Sequence, residues 1–189
     1  DVSVGEYYKS KINKVIKILK KKAADMQFIT ASENNAWLFN IRGNDSKYTP
    51  IPYCYTLIDK KKNVIFFCDL KKIPNSFKRE FSGTRFIDIN LVNNVLSKIS
   101  KKRFIIDDNS CSVYYENIIL KNNKILKYQD PIYSLKAIKT KKEIENIKKA
   151  HIHDGVALTK YLFWIKNNFL KKKITEISAE KKLFNFRKK

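Results

Sequence analysis

Glycine and proline are scarce in this chain, four of each in 189 residues. With so few glycines, backbone cradles for phosphate are hard to build, and there is no Gly-rich phosphate loop, G-x-S-x-G nucleophile elbow or H-E-x-x-H zinc motif. Cysteine is also sparse. Cys54, Cys68 and Cys111 are odd in number and lack C-x-x-C spacing, which argues against a disulfide framework and a zinc knuckle and leaves reduced thiols as the expectation. Cys111 has no histidine near it in sequence and reads as a partly buried free thiol rather than a nucleophile. Long apolar runs are missing as well: "VIFFC" at 64–68 has the length of a strand, far short of the ~20 residues that span a bilayer. No signal peptide is visible, so a soluble, cytoplasmic segment is expected. An initiator methionine is lacking too, and a chain that starts at Asp1 is expected to come from inside a longer product or from processing.

What is present describes a folding chain. A hydrophobic fraction of 43%, with 12 Phe and 10 Tyr, excludes disorder despite 31% charged residues. A domain of ~150 residues can bury roughly 70% of its unfolded surface, so a real core is available. The net charge of +22 invites a nucleic-acid reading. Two features oppose it. Only five of the forty basic residues are arginine, the residue suited to bidentate phosphate and base contacts, and the lysines recur in short groups along the whole chain, at 20–22, 60–62, 71–72, 101–102, 141–142 and 171–173. They read as solvated surface, with a basic nucleic-acid-binding module kept as the alternative.

Residues 6–24 carry Tyr8, Ile12, Val15, Ile16 and Leu19 at helical spacing. A short buried strand is predicted at 26–31, a helix from Ser32, and a hairpin from "PYCYTLI" (52–58) and "NVIFFCD" (63–69). A strand at 84–89, a helix at 91–99, a strand at 103–108 and a helix at 112–120 complete an alternation that points to an α/β sandwich. The stretch 127–139 has no strong periodicity and contains the breaker Asp130-Pro131, so a boundary is placed there. "TKKE" at 140–143 is a capping box opening a helix to about 168, with Ile144, Ile147, Leu158, Leu162 and Ile165 among its buried positions. Thr175 starts the last helix.

The cluster "AHIHDG" at 150–155 resembles a metal site at first sight. On a helix, His151 and His153 diverge by ~200° and cannot hold one ion; His151 and Asp154 share a face but are two ligands where zinc needs three or four. An interhelical hydrogen bond, or one from His151 to Asp154, is expected instead, with Gly155 permitting close packing. The strand-end carboxylates Asp69, Asp88, Asp107 and Asp108 could meet as a two-metal nuclease site, but aspartate there more often forms turns or caps helices.

Two segments carry a resemblance. "ASENNAWLFNIRGNDSKYTPIPYCYTLI" (31–58) is similar to the second domain of eukaryotic-type aminopeptidase P, the X-prolyl aminopeptidase, in Ala36, Trp37, Leu38, Phe39, Asn40, Ile41, Arg42, Gly43, Asp45, Pro50 and Tyr55. "SLKAIKTKKEIENIKKAHIHDGVALTKYLFWI" and "TEISAEKKLFNFR", within 134–187, resemble the entry to that family's pita-bread catalytic domain. Phe184 and Asn185 depart from it, standing where acidic residues are usual.

The resemblance implies a creatinase/prolidase N-terminal-like (ribonuclease-H-like) mixed sheet flanked by helices in 1–130, a linker at 131–139, and in 140–189 the first two helices of an incomplete pita-bread domain. It implies a parent that releases an N-terminal residue preceding proline, using a hydroxide held between two divalent metals, typically manganese. The five metal ligands of the family lie downstream of the "TEISA" helix. Hence no catalytic residue, metal ligand or cofactor is expected in this chain, which should be a scaffold inactive alone. Expected partners are the parent's other domains, peptides with proline second, and a second parent copy, with no membrane. Arg42 and Asp45 are the candidates for interdomain contact; a ribonuclease-H-like nuclease is the remote alternative.

Overall fold

The computed structural model describes residues 4–171 and 173–188. The lysine group at 171–173 is therefore seen only at its two ends, Lys172 lying outside the described residues. Described residues divide into two units, 6–138 and 4–5 with 139–188.

The first unit opens with α1 (Tyr8–Lys21), whose buried residues Tyr8, Lys11, Ile12, Val15, Ile16 and Leu19 recur at steps of three and four and so share one face. After β1 (Met26–Ile29) comes α2 (Ser32–Phe39), ended by Asn40 in the left-handed conformation (φ 57°), a conformation that asparagine tolerates at helix ends. The predicted hairpin is present as β2 (Tyr55–Asp59) and β3 (Val64–Cys68). Asp59 shapes its turn: Oδ1 accepts from Lys61 N (2.8 Å) and Asn63 N (2.9 Å) while Lys62 takes a positive φ of 75°. Then follow α3 (Asn75–Glu80), β4 (Thr84–Asp88), α4 (Val92–Ser97), β5 (Arg103–Ile106), α5 (Val113–Leu120), β6 (Lys124–Lys127) and α6 (Ile132–Ala137).

The six strands form one mixed sheet in the order β4-β3-β2-β1-β5-β6, with β2 antiparallel to both neighbours and the other pairs parallel. Strand alternation sends successive side chains to opposite faces. Phe28, Leu57, Phe67, Phe104 and Ile106 join Leu96 of α4 and Ile119 of α5 on one side. Ile29, Ile58, Phe66 and Ile105 join the α1 face, Leu38, Phe39 and Ile132 on the other. The result is a three-layer α/β sandwich.

Three of these helices and strands have no counterpart in the sequence reading. Helix α3 is six residues of mixed polarity after Pro74, anchored where Phe77 packs against the core. Strand β6, "KILK", is a short edge strand bounded by lysines, a composition that blunts an edge. Helix α6 falls within the stretch read as linker. Its start is held by the Asp130 carboxylate, whose Oδ1 accepts from Ile132 N (3.0 Å), and it is tied to α2 by Lys136 Nζ to Asn34 Oδ1 (2.7 Å) and Tyr133 OH to Glu33 Oε1 (2.8 Å).

The second unit holds α7 (Lys141–Asn168) and α8 (Glu176–Arg187). The capping box read at 140–143 forms between Thr140 and Glu143, and Thr175, read as a helix start, makes a second with Ser178. Ala157 is the single buried residue of α7 among those described. The expectation for Ile144, Ile147, Leu158 and Leu162 is corrected: they are exposed, and Ile165 is half-buried. The reason is architectural, because two helices cover only one stripe of each other and this unit has no further layer among its described residues. None of the described helices is long and apolar enough to cross a membrane.

Candidate functional site

Five of the six strands finish at the same end of the sheet, the end where α/β folds place their sites. The loop after α2 lies there. Its geometry starts at a residue that sequence reasoning missed, Lys11, which is 1% exposed. The Lys11 ammonium donates to Trp37 O (2.8 Å) and to Asn40 Oδ1, and sits 4.1 Å from the centre of the Trp37 ring. Asn40 Nδ2 in turn donates to Glu6 O (2.8 Å), so Lys11 of α1 and the backbone just before that helix together fix the residue from which the loop departs. A signal did exist: position 11 is three after Tyr8 and four before Val15, on the apolar face.

From Asn40 the chain enters Ile41-Arg42-Gly43-Asn44-Asp45. A Cβ at Gly43 would lie 2.5 Å from Pro52 Cα, so only glycine admits this close approach of two backbone segments. Asp45 Oδ2 accepts from Tyr53 N (2.7 Å) and its other oxygen pairs with Lys72. That partner holds the carboxyl below its ordinary range, with the Tyr53 amide second. Arg42 spends one donor on Ile41 O (2.9 Å), and its side chain is exposed. Together these residues border a cavity of about 560 Å³, with Phe66, Ile73 and Phe77 among its walls. An apolar floor under a charged rim is suited to holding a partner group.

Chemistry is harder to find there. Cys68 lines the cavity, but burial pushes its thiol up to about 11, with Asp69 adding to the effect, so it stays un-ionised at neutral pH. Burial likewise raises Cys111 to about 12 and raises Cys54 further. All three cysteines are free, and Cys111 is buried where partial burial was expected. The strand-end aspartates act as turn caps: Asp69 Oδ1 accepts from Lys71 N (3.0 Å), Asp88 Oδ1 from Asn90 N (3.0 Å), and Asp107 Oδ1 from Asn109 N (3.0 Å). No group of three or more His, Cys, Asp or Glu that could hold a metal occurs among the described residues. The two divalent ions implied by the resemblance therefore do not fit the side chains described.

His151 and His153 are both exposed on α7. The interhelical bond of this cluster belongs to Asp154, which receives Arg187 Nε (2.6 Å) and Nη2 (3.4 Å) from α8, and this lowers its pKa. Gly155 corrects another expectation: a Cβ there would meet nothing within 4 Å, so the glycine serves no close approach in this unit.

A second polar centre, unannounced by any motif, lies inside the first unit. Asp130 is 3% exposed and accepts from Gln27 Nε2 (2.8 Å) and Asn34 Nδ2 (2.7 Å), while its own N–H donates to Asp107 Oδ2 (2.8 Å). It joins β1, α2, the end of β5 and the start of α6. Burial pushes its carboxyl up despite these donors.

Comparison with known proteins agrees with this architecture. Xaa-Pro aminopeptidase 1 of Dictyostelium discoideum is 31% identical over 195 residues, covering 100% of this chain and 31% of the relative. A probable Xaa-Pro aminopeptidase P of Paracoccidioides lutzii is 32% identical over 203 residues, covering 98% of this chain and 32% of its own. The chain thus spans about a third of the length of these curated relatives. Among solved structures, an X-prolyl aminopeptidase from Caenorhabditis elegans, described as a cytosolic enzyme with a di-nuclear active site, superposes with a TM-score of 0.87 at 23% identity, over 99% of this chain and 32% of that one. A Xaa-Pro dipeptidase from Bacillus anthracis gives 0.70 at 18%, over 96% and 49%. These two share the fold. None of these similarities favours a nucleic-acid-binding module or a nuclease. A family model for the creatinase/prolidase N-terminal domain matches residues 2–143, three-quarters of the sequence, and with the mixed sheet and its flanking helices this places the chain in that family.

Proposed function

We propose that this chain is the scaffold part of an X-Pro aminopeptidase, with 1–130 as its middle creatinase-like domain, 131–139 as the connection, and 140–189 as the opening of the catalytic domain. The observation that carries this reading is the continuous match to the Dictyostelium relative, which runs through both units. The exposed apolar residues support it: Ile152, Phe163 and Leu170 are 68%, 71% and 85% exposed, values that fit helices whose remaining layers lie elsewhere in a longer protein.

In that parent, two divalent ions, manganese in our reading, would activate water to release a residue preceding proline. This chain supplies no step of that chemistry and is inactive alone. It positions the other domains and walls the opening, so that a free N-terminus reaches the metals. Arg42 and Asp45 serve as an interdomain contact, the first presenting an outward guanidinium and the second holding the loop through Tyr53 and Lys72. The partners are the parent's remaining domains, peptides with proline second, and a second parent copy, in the cytoplasm.

The test has two arms. This chain, incubated with manganese and an Arg-Pro-Pro peptide, should show no turnover and no stoichiometric metal uptake by calorimetry. Put in place of the matching third of the Dictyostelium protein, it should preserve X-Pro cleavage. Turnover by the chain alone that survives repurification overturns its inactivity; a folded chimaera without cleavage overturns the scaffold role.

A further inference from the structure

The end of the sheet opposite the Arg42 loop is where β1, β5 and β6 begin and where the β2–β3 hairpin turns. Lysine groups that are far apart in sequence meet there. The register sets Asp59 beside Met26, Met26 beside Phe104, and Arg103 beside Lys124, so the strand ends form a row at about 4.8 Å per strand. Two clefts open along that row. One, of about 580 Å³, is lined by Lys101, Lys102, Arg103, Lys121 and Lys124; the other, of about 380 Å³, by Lys60, Lys61, Lys98 and Lys102. They share Asp25 and Lys102.

The carboxylates at this end are already engaged. Asp25 accepts from Arg103 N (2.9 Å) and pairs with Lys60 (2.6 Å), and Asp59 is spent on the hairpin turn. By contrast Asp69, Asp88, Asp107 and Asp130 are gathered at the other end of the sheet. The positive field is thus a local product of the fold as well as of composition. Only one of the cations lining the clefts is arginine, which favours point-charge contacts over bidentate ones. Backbone donors are committed too: Lys101 N to Asn122 O (2.8 Å), Lys102 N to Asn123 Oδ1 (3.1 Å) and Lys124 N to Lys102 O (2.9 Å). Among the described residues no aromatic ring lines either cleft, so a nucleic-acid base would find no stacking platform.

From these observations we propose that the paired clefts bind a ligand bearing several closely spaced phosphates, recognised by charge and not by bases. Linear polyphosphate and ring-borne inositol polyphosphate share this chemistry. The proposal is independent of the peptidase reading.

The test is titration of the 189-residue chain with each of these, and with single-stranded DNA and polyglutamate as rivals. Polyphosphate of one kind should bind best, and its affinity should fall about tenfold or more between roughly 50 and 200 mM salt. The variant Lys101→Gln, Lys102→Gln, Lys121→Gln, Lys124→Gln should weaken it at least about tenfold, while Lys148→Gln, Lys149→Gln, Lys160→Gln, Lys166→Gln, with equal charge removed from α7, should not. Unchanged thermal unfolding certifies both variants, and protection of the cleft lysines from acetylation by bound polyphosphate gives a readout on the unmodified chain. Equal losses in the two variants, no protection of the cleft lysines, or tighter binding of DNA or polyglutamate would each overturn the proposal, the DNA result by assigning the clefts to nucleic acid.

Discussion

At the scale of single residues, the informative positions are the buried polar ones. Lys11 reaches Trp37 O and Asn40 Oδ1 from inside the core, so Lys11→Met keeps most of the stem's bulk and removes the donor. Taking the donor from buried acceptors costs about 2 to 3 kcal/mol, and urea titration of the variant should show a loss of that size. A loss under about 0.5 kcal/mol would place the ammonium in water, as at ordinary surface sites. Asp130 behaves in the opposite sense to a salt-bridged carboxylate. Its native pKa lies above the unfolded value, so the folded state holds the proton more tightly, and stability falls as pH rises from the unfolded range, about 4, through the native pKa. The advantage of the wild type over Asp130→Asn should therefore be larger near pH 4 than near pH 7, measured by denaturant unfolding at both. A gap that widens toward neutrality would mean that the ionised form is the one stabilised. In sequence, Asp130 reads only as half of a breaker dipeptide, and the one mark that sets Lys11 apart from the other lysines, 35 in all, is its place on the apolar face of α1.

At the scale of elements, helix α7 is where local rules and tertiary needs part company. Its capping box is written in "TKKE" and forms as read, because the cap needs only residues 140–143. Its apolar positions are equally legible, yet what they touch depends on layers that two helices do not supply. Gly155 sits in the middle of this helix with open space where its Cβ would be. Gly155→Ala should therefore stabilise the second unit of this chain by about 0.5 to 1 kcal/mol, seen as slower amide exchange in α7. In the longer enzyme proposed above, a helix closing on that face would make the same change unfavourable. Faster exchange in this chain would instead mean that the glycine already meets a neighbour here. Elements α3, β6 and α6 were hidden for a related reason. Each is at most six residues long, and short elements owe their existence to packing rather than to propensity.

For the whole molecule, the division into two units makes a direct prediction. Trypsin should cut first near 138–142 or between 168 and 175, where lysines flank element ends, and leave 6–138 as the resistant product by mass spectrometry. Early cleavage inside the sheet, between 26 and 106, would contradict the division. Sequence alone determined the α/β alternation, the hairpin, both long helices and the family, because each rests on local periodicity or on a contiguous motif such as "WLFNIRGND" at 37–45. It also determined that the histidines diverge, since that follows from helical geometry. What only the tertiary structure decided were relations across distance. Lys11 and Asn40 are 29 positions apart, and Gln27 and Asp130 are 103 apart. Lysines spread from 60 to 124 look like a uniform coat until the strand register brings them to one end of the sheet. Charge is additive along a chain, but the field it makes depends on where the fold puts it.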